Sequence, residues 1–331
     1  MKLPYAPQPD AGEALSSWSA RLAAHNYVDH LTFWRWLGID EIDDLNPSIE
    51  IIEQLARVTG QPTALIGDLV LTEARHVTWM ASMSRDGRRG SACPLCCREA
   101  VARGRDHGWA GYSGMLFAVG CRIHHCALVD IDAWQLVPSG GVVRLTNLEG
   151  AVLGAARSLR TLNAWALKLE AVIAAALLGR RPSRSWWVRS AAELLKTTEI
   201  LIDIVLYERD RQASFAQLFE REPTMGRVTF SLDSSRPVQG LSALRGQPMQ
   251  TRRNVLSALA VLLSPAAQAN GENAEALGWR TAPDHGGAYL ILVQHLDRMG
   301  RQRLEEALPS LPLQISHLAS LALDHARTLE G

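Results

Sequence analysis

All five cysteines of this chain fall between residues 93 and 126, and that crowding constrains the fold more than any other feature. Cys93-Pro94-Leu95-Cys96 puts two thiols on one turn. Cys121-Arg122-Ile123-His124 repeats the spacing with an imidazole in the second position. Two intervening residues let both side chains of a turn reach a single tetrahedral zinc. The set Cys93, Cys96, Cys121 and His124 supplies four donors and leaves no place for water, so the site reads as structural rather than hydrolytic. Bound zinc would contribute folding energy directly to a region with little apolar core of its own. The ligand set has competitors, because His125 and Cys126 adjoin His124 and Cys97 adjoins Cys96. Among them His124 keeps both ligands of the second pair on one knuckle-like turn.

The other use of clustered cysteines, a disulfide framework, needs an oxidising compartment. Residues 1–10 carry one Lys and three prolines without an apolar core, unlike a secretory signal. The longest apolar stretch, around Leu169–Leu178, includes Glu170 and is too short to span a bilayer. A cytoplasmic protein with no membrane partner is therefore expected. At 331 residues, 47% apolar and 21% charged, the chain suits two or three globular domains.

Helical periodicity opens the chain. Leu15, Trp18 and Leu22 recur at spacings of three and four, which predicts a helix over 13–26 with one buried face. Further helices are expected over 31–37, ending at Gly38, over 47–59 with Pro47 in the first turn and Gly60 after the end, and over 62–71. Four short helices with tight turns read as a helix-turn-helix-like bundle. Short strands are expected at 135–137 and 142–145 around Pro138-Ser139-Gly140-Gly141. Helical patterns resume from 149, with a break at Gly179–Pro182 and an extended piece at 227–232. The fold class is thus mainly α. It comprises an N-terminal bundle (1–75), a central structural zinc element with short strands (76–148) and a C-terminal helical region (149–331, with a break near 222–250). Trp18, Trp34, Trp36, Trp79, Trp109, Trp165 and Trp279 are expected in cores. Trp186 and Trp187 are adjacent and cannot share a helix face.

A net charge of zero hides an asymmetry. Residues 1–70 hold four basic groups against ten acids, a balance of six negative charges. Such a bundle suits a protein partner better than phosphates, which need Lys and Arg, and Asp40, Glu41, Asp43 and Asp44 form its acidic docking face. Candidate nucleic-acid contacts lie elsewhere. Arg85, Arg88 and Arg89 precede the zinc turn and Arg98, Arg103 and Arg105 follow it, while Arg180, Arg181, Arg184 and Arg189 surround Pro182. Arg252 and Arg253 open one further helix, and Arg298, Arg301 and Arg303 lie on another.

Three landmarks in order carry a family resemblance. Glu13-Ala14-Leu15-Ser16-Ser17-Trp18-Ser19-Ala20-Arg21-Leu22-Ala23, then Leu55-Ala56-Arg57-Val58-Thr59-Gly60, then Cys93-Pro94-Leu95-Cys96 with Gly108-Trp109 and Cys121-x-x-His124 resemble the TniQ family across the first 130 residues. A further cysteine pair common in that family is missing here, so a second zinc finger is not expected. The resemblance implies a non-catalytic adaptor that selects a DNA target for transposition. Its partners would be an AAA+ regulator, transposase machinery, DNA and, in some systems, an RNA-guided targeting complex. The C-terminal helices are apolar enough for a homodimer. An enzyme is disfavoured, since no Gly-x-Ser-x-Gly, Walker, His-Glu-x-x-His or dinucleotide pattern occurs. The rival reading is a stand-alone zinc-containing transcription regulator. Its best recognition helix, 251–263, is basic only at its start.

Overall fold

The computed structural model describes residues 2–10, 13–39, 47–69, 89–106, 115–121, 123–132, 136–139, 142–153, 164–207, 215–219, 243–244, 247, 249–268 and 287–330. The chain is mainly helical and divides into two compact units, Met1–Leu162 and Asn163–Gly331.

The first unit is organised by α1 (Leu15–His25), whose residues from Leu15 to Ala24 are all buried. Leu15, Trp18, Leu22 and Ala23 join Phe33, Trp34 and Leu37 of α2 (His30–Leu37), Leu55 and Val58 of α3 (Ile49–Thr59) and Ile66 of α4 (Thr63–Gly67). The periodicity predicts one buried face, yet the opposite face is buried too. There Ala14, Ala20 and Ala24 let other backbone approach closely and pack with Ala92, Cys97, Ile131 and Leu145. Serines on so enclosed a helix need internal partners. Ser17 donates to Glu13 Oε1 at 2.8 Å and Ser19 to the Ser16 carbonyl at 2.9 Å.

Caps explain where these helices begin and end. Asp29 accepts the amides of Leu31 and Thr32 before α2, and Gly38 closes it at φ 67°. Ser48, not Pro47, starts α3, because its hydroxyl accepts the Ile51 amide and leaves the proline outside the helix. The expected helix over 62–71 is shorter, Thr63–Gly67. Trp36 is 44% exposed and not a core residue, since it stands two positions from buried Trp34 and so on the far side of α2.

Two antiparallel strand pairs complete the unit. β1 (Arg89–Ala92) pairs with β2 (Val129–Asp132), Arg89 opposite Asp132 and Ala92 opposite Val129. Between them runs α5 (Pro94–Ala102), with Pro94 in the first turn and Cys93 as its cap. β3 (Leu136–Ser139) pairs with β4 (Val142–Leu145), so Pro138 and Ser139, expected in the turn, belong to the strand.

The elements of the second unit are all helical among its described residues. Its centre is α8 (Met249–Leu263), buried along nearly its whole length. Around it pack α6 (Ala164–Leu177), α7 (Ala191–Val205) and a 3-10 turn at Phe215–Phe219. The short α9 (Pro265–Gln268) follows, then α10 (Gly287–His295), α11 (Arg298–Ala307) and α12 (Leu313–Glu330). The last three carbonyls of α8 all find donors. Val261 accepts Gln268 Nε2, Leu262 accepts the Tyr289 hydroxyl at 2.6 Å and Leu263 accepts the Trp187 amide at 2.9 Å. Trp186 is buried against Trp165, and Trp187 is half-buried. Gly300 admits the Tyr207 ring: a Cβ there would stand 2.9 Å from two of its carbons.

Candidate metal centre

The β1–β2 register brings the two ligand pairs together. β1 delivers Cys93 directly after Ala92, while Gly120 bridges to Ala127 in the turn that leads into β2. Each pair sits on a turn whose amides point at sulfur. The Cys96 amide donates to Cys93 Sγ at 3.4 Å, and the amides of Ile123 and His124 donate to Cys121 Sγ at 3.4 and 3.3 Å. His125 takes the tight bend at φ 51°, its amide donating to the Cys121 carbonyl at 2.8 Å.

The four donor atoms of Cys93, Cys96, Cys121 and His124 all lie within 4.8 Å of one another. His124 Nδ1 is 3.5 Å from Cys93 Sγ, 3.3 Å from Cys96 Sγ and 3.7 Å from Cys121 Sγ, and Cys96 Sγ is 3.7 Å from Cys121 Sγ. A tetrahedral zinc with ordinary Zn–S and Zn–N bonds sets sulfurs ~3.8 Å apart and sulfur from nitrogen ~3.5 Å. The donor cluster therefore has the dimensions of a zinc tetrahedron and fits such an ion. A metal held by these four would have no free position, so the chemistry it supplies is structural.

Electrostatics favour a cation. Hydrogen bonds from Cys121, Cys126 and Cys96 hold the Cys93 thiol well below the usual thiol range. Cys96 is pushed up by its bonds to Cys121 and Cys93 and by burial. So many sulfurs together tolerate few thiolates without a positive ion. Glu99 Oε1 lies 2.9 Å from His124 Nε2, and this bond pushes the imidazole up to about 9. Glu99 itself is drawn below its ordinary value, first by His124.

The competing cysteines stand outside the cluster. Cys126 is fully buried with Sγ 3.4 Å from Cys93 Sγ, and its thiol is pushed up by that bond. Cys97 points into the core with Ala20 and Ile131, where burial raises its thiol. His125 is exposed.

The other candidate residues are placed unevenly. Arg103, which caps the end of α5, and Arg105 after it are exposed, and the Arg103 guanidinium is 3.5 Å from Glu99. Arg180, Arg181, Arg184 and Arg189 are exposed on the loop between α6 and α7. Arg89 lies in β1, whereas Arg85, Arg88, Asp40, Glu41, Asp43, Asp44, Trp79, Trp109, Trp279 and the piece at 227–232 lie outside the described residues. Arg252 is not a surface contact: it is buried at the start of α8 and donates to the Gln247 carbonyl.

Sequence reasoning also passes over a buried ion network. Arg21 Nε and Nη2 clamp the Glu13 carboxylate at 2.8 and 2.7 Å, and Nη1 reaches Asp106 at 2.6 Å. His25 Nε2 shares that Asp106 oxygen at 2.8 Å. Burial alone would lower the Arg21 pKa, but the bonds and charges of Glu13, Asp10 and Asp106 hold it above its ordinary value. Glu99 has a signal: with Cys96 and Arg103 it makes an i, i+3, i+7 row, visible once a helix is started at Pro94.

No helix among the described residues is long and apolar enough to cross a membrane. No curated protein and no solved structure gives a significant match to the chain. The TniQ family model matches residues 4–128, a span that takes in the four-helix bundle and the whole Cys3His cluster. Over that span the chain is similar to the TniQ family.

Proposed function

We propose that the protein is a non-catalytic cytoplasmic adaptor that links a target-recognition surface to an AAA+ regulator and through it to a transposase. The observation that carries this reading is the closed Cys3His cluster inside the family-matched span. Four protein donors around one ion build a rigid module and leave no position at which a substrate could bind the metal. Zn2+ is the ion this donor set suits, with Cys93, Cys96, Cys121 and His124 as its ligands.

Recognition and recruitment are assigned to different surfaces. The acidic run Asp40, Glu41, Asp43 and Asp44 is the docking face for the protein partner, a basic surface of the regulator or of an RNA-guided targeting complex. DNA phosphates are met by Arg85, Arg88, Arg89, Arg103 and Arg105 near the zinc turn and by Arg180, Arg181 and Arg184. The last three stand on a loop that Trp186 and the Trp187 amide anchor to the core, so their positioning costs little entropy on binding. The stand-alone regulator reading loses its recognition helix, because 251–263 belongs to α8 and lies buried in the second unit.

The test is direct binding of the purified chain to its AAA+ regulator, with and without DNA. It compares wild type with a variant carrying Asp40→Asn, Glu41→Gln, Asp43→Asn and Asp44→Asn. Binding that needs no DNA and disappears in the variant supports the adaptor. A chain that ignores the regulator and binds one duplex sequence alone overturns it.

A further inference from the structure

The geometry points to Glu99 as the positioning residue of the metal centre: its carboxylate selects which ring nitrogen of His124 faces the metal. The inference rests on the zinc reading above and concerns a residue outside the ligand set.

An imidazole binds a metal only through an unprotonated nitrogen, and the hydrogen bond made by the other nitrogen decides which one that is. In this protein the two nitrogens face opposite chemistry. Nδ1 looks onto three sulfurs at 3.3 to 3.7 Å. Nε2 looks onto Glu99 Oε1 at 2.9 Å. An ionised carboxylate only accepts, so it requires the proton on Nε2 and leaves the Nδ1 lone pair turned toward Cys93, Cys96 and Cys121.

The placement of Glu99 makes this more than a surface ion pair. Cys96 and Glu99 are three residues apart on α5, so one helix supplies both a ligand and the group that orients the ligand from the other turn. The helix is tied at its start, where Cys93 caps it and is itself a ligand. The two knuckles are therefore coupled twice, through the metal and through the Glu99–His124 bond. Arg103 lies 3.5 Å from the second Glu99 oxygen, which leaves Oε1 to the imidazole. The chain from Arg103 through Glu99 and His124 to the metal starts at the surface, because Arg103 is exposed.

The test compares full-length wild type, Glu99→Ala and Glu99→Gln. Zinc affinity is read by competition with a chromophoric chelator, and the His124 ring tautomer by nitrogen NMR of the zinc-loaded chain. A carboxamide oxygen still accepts from Nε2, so Glu99→Gln should stay within about threefold of wild type while Glu99→Ala loses ~10–100-fold, the usual cost of removing an outer partner. The Nε2–H signal should sharpen in wild type and Glu99→Gln and exchange broadly in Glu99→Ala. Equal affinity and an unchanged tautomer in Glu99→Ala overturn the inference. So does an equal loss in both variants, which would assign the effect to charge. A wild type that holds no zinc overturns the metal reading itself, and this outcome is distinct because it appears before any variant is compared.

Discussion

Arg21 of the first helix and Asp106, 85 residues later, are joined by a 2.6 Å bond from Nη1 to Oδ2. The same guanidinium holds Glu13 through two nitrogens, and both Arg21 and Glu13 are 2% exposed. One side chain thus ties the start of the chain, α1 and the residues just past α5 into the first unit. Replacing Arg21 by Met keeps most of its apolar stem and removes the cation from two carboxylates in a poorly hydrated place, leaving Glu13 with Ser17 and Asp106 with His25. The expected loss is ~3–5 kcal/mol, the usual result of removing one partner of a buried pair. Urea unfolding of Arg21→Met checks it, and a second variant that adds Glu13→Gln should recover part of the loss. A change below ~1 kcal/mol would mean that water reaches the network.

Gly300 offers a case in which two effects have opposite signs. In an exposed helix, Gly→Ala stabilises by ~0.5–1 kcal/mol through backbone entropy. Here the added Cβ would stand 2.9 Å from the Tyr207 ring, whose hydroxyl donates to Asp297 at 2.7 Å. Asp297 also caps α11 by accepting the Gly300 amide at 2.8 Å. Overpacking of this kind costs ~1–3 kcal/mol, so it outweighs the entropy gain and Gly300→Ala should lower stability. Thermal unfolding of the variant reads the sign, and a raised Tm would sink the argument.

Much of the metal cluster was legible in the chain because its geometry is local. Two residues between Cys93 and Cys96, and between Cys121 and His124, already set which donors can share an ion. The α2 and α3 ends at Gly38 and Gly60 were legible for the same reason, since a left-handed cap needs glycine. β1 was not, because Arg-Gly-Ser-Ala carries no strand pattern and is extended only through pairing with Val129–Asp132. The second buried face of α1 was hidden too. Alanines and serines there look like an exposed side until the cysteine-bearing segment packs on them. Arg21 reads as a surface residue in any local window, since its partners include one 85 positions away.

Cys121 belongs to the cluster and Cys126 is buried beside it, so they should behave differently when replaced. Cys121 Sγ lies 3.7 Å from both Cys96 Sγ and His124 Nδ1, whereas Cys126 stands outside the four-donor group with its Sγ 3.4 Å from Cys93 Sγ. Cys126→Ala should therefore retain one zinc per chain and bind it less tightly, without a donor to the Cys93 sulfur. Cys121→Ala should lose the metal and unfold the first unit while the second unit keeps its own transition. Metal analysis and far-UV melting curves separate the two. Loss of zinc in Cys126→Ala with retention in His124→Ala would move the fourth ligand to Cys126.

Arg180, Arg181 and Arg184 provide the sharpest test of the proposed nucleic-acid contact. All three are exposed, and their removal disturbs no ion pair among the described residues. A triple alanine variant should unfold at the wild-type temperature. Every phosphate that is no longer neutralised reduces the slope of log K against log salt by ~0.9, so three of them lower it by about 2.7. Arg252 is the control of opposite character, being 6% exposed and bonded to the Gln247 carbonyl. Arg252→Ala should lower stability and leave the slope of the folded protein unchanged. A triple variant whose salt slope equals that of wild type would remove the loop between α6 and α7 from the proposed DNA contacts, leaving the arginines around the Cys93 turn as the remaining candidates.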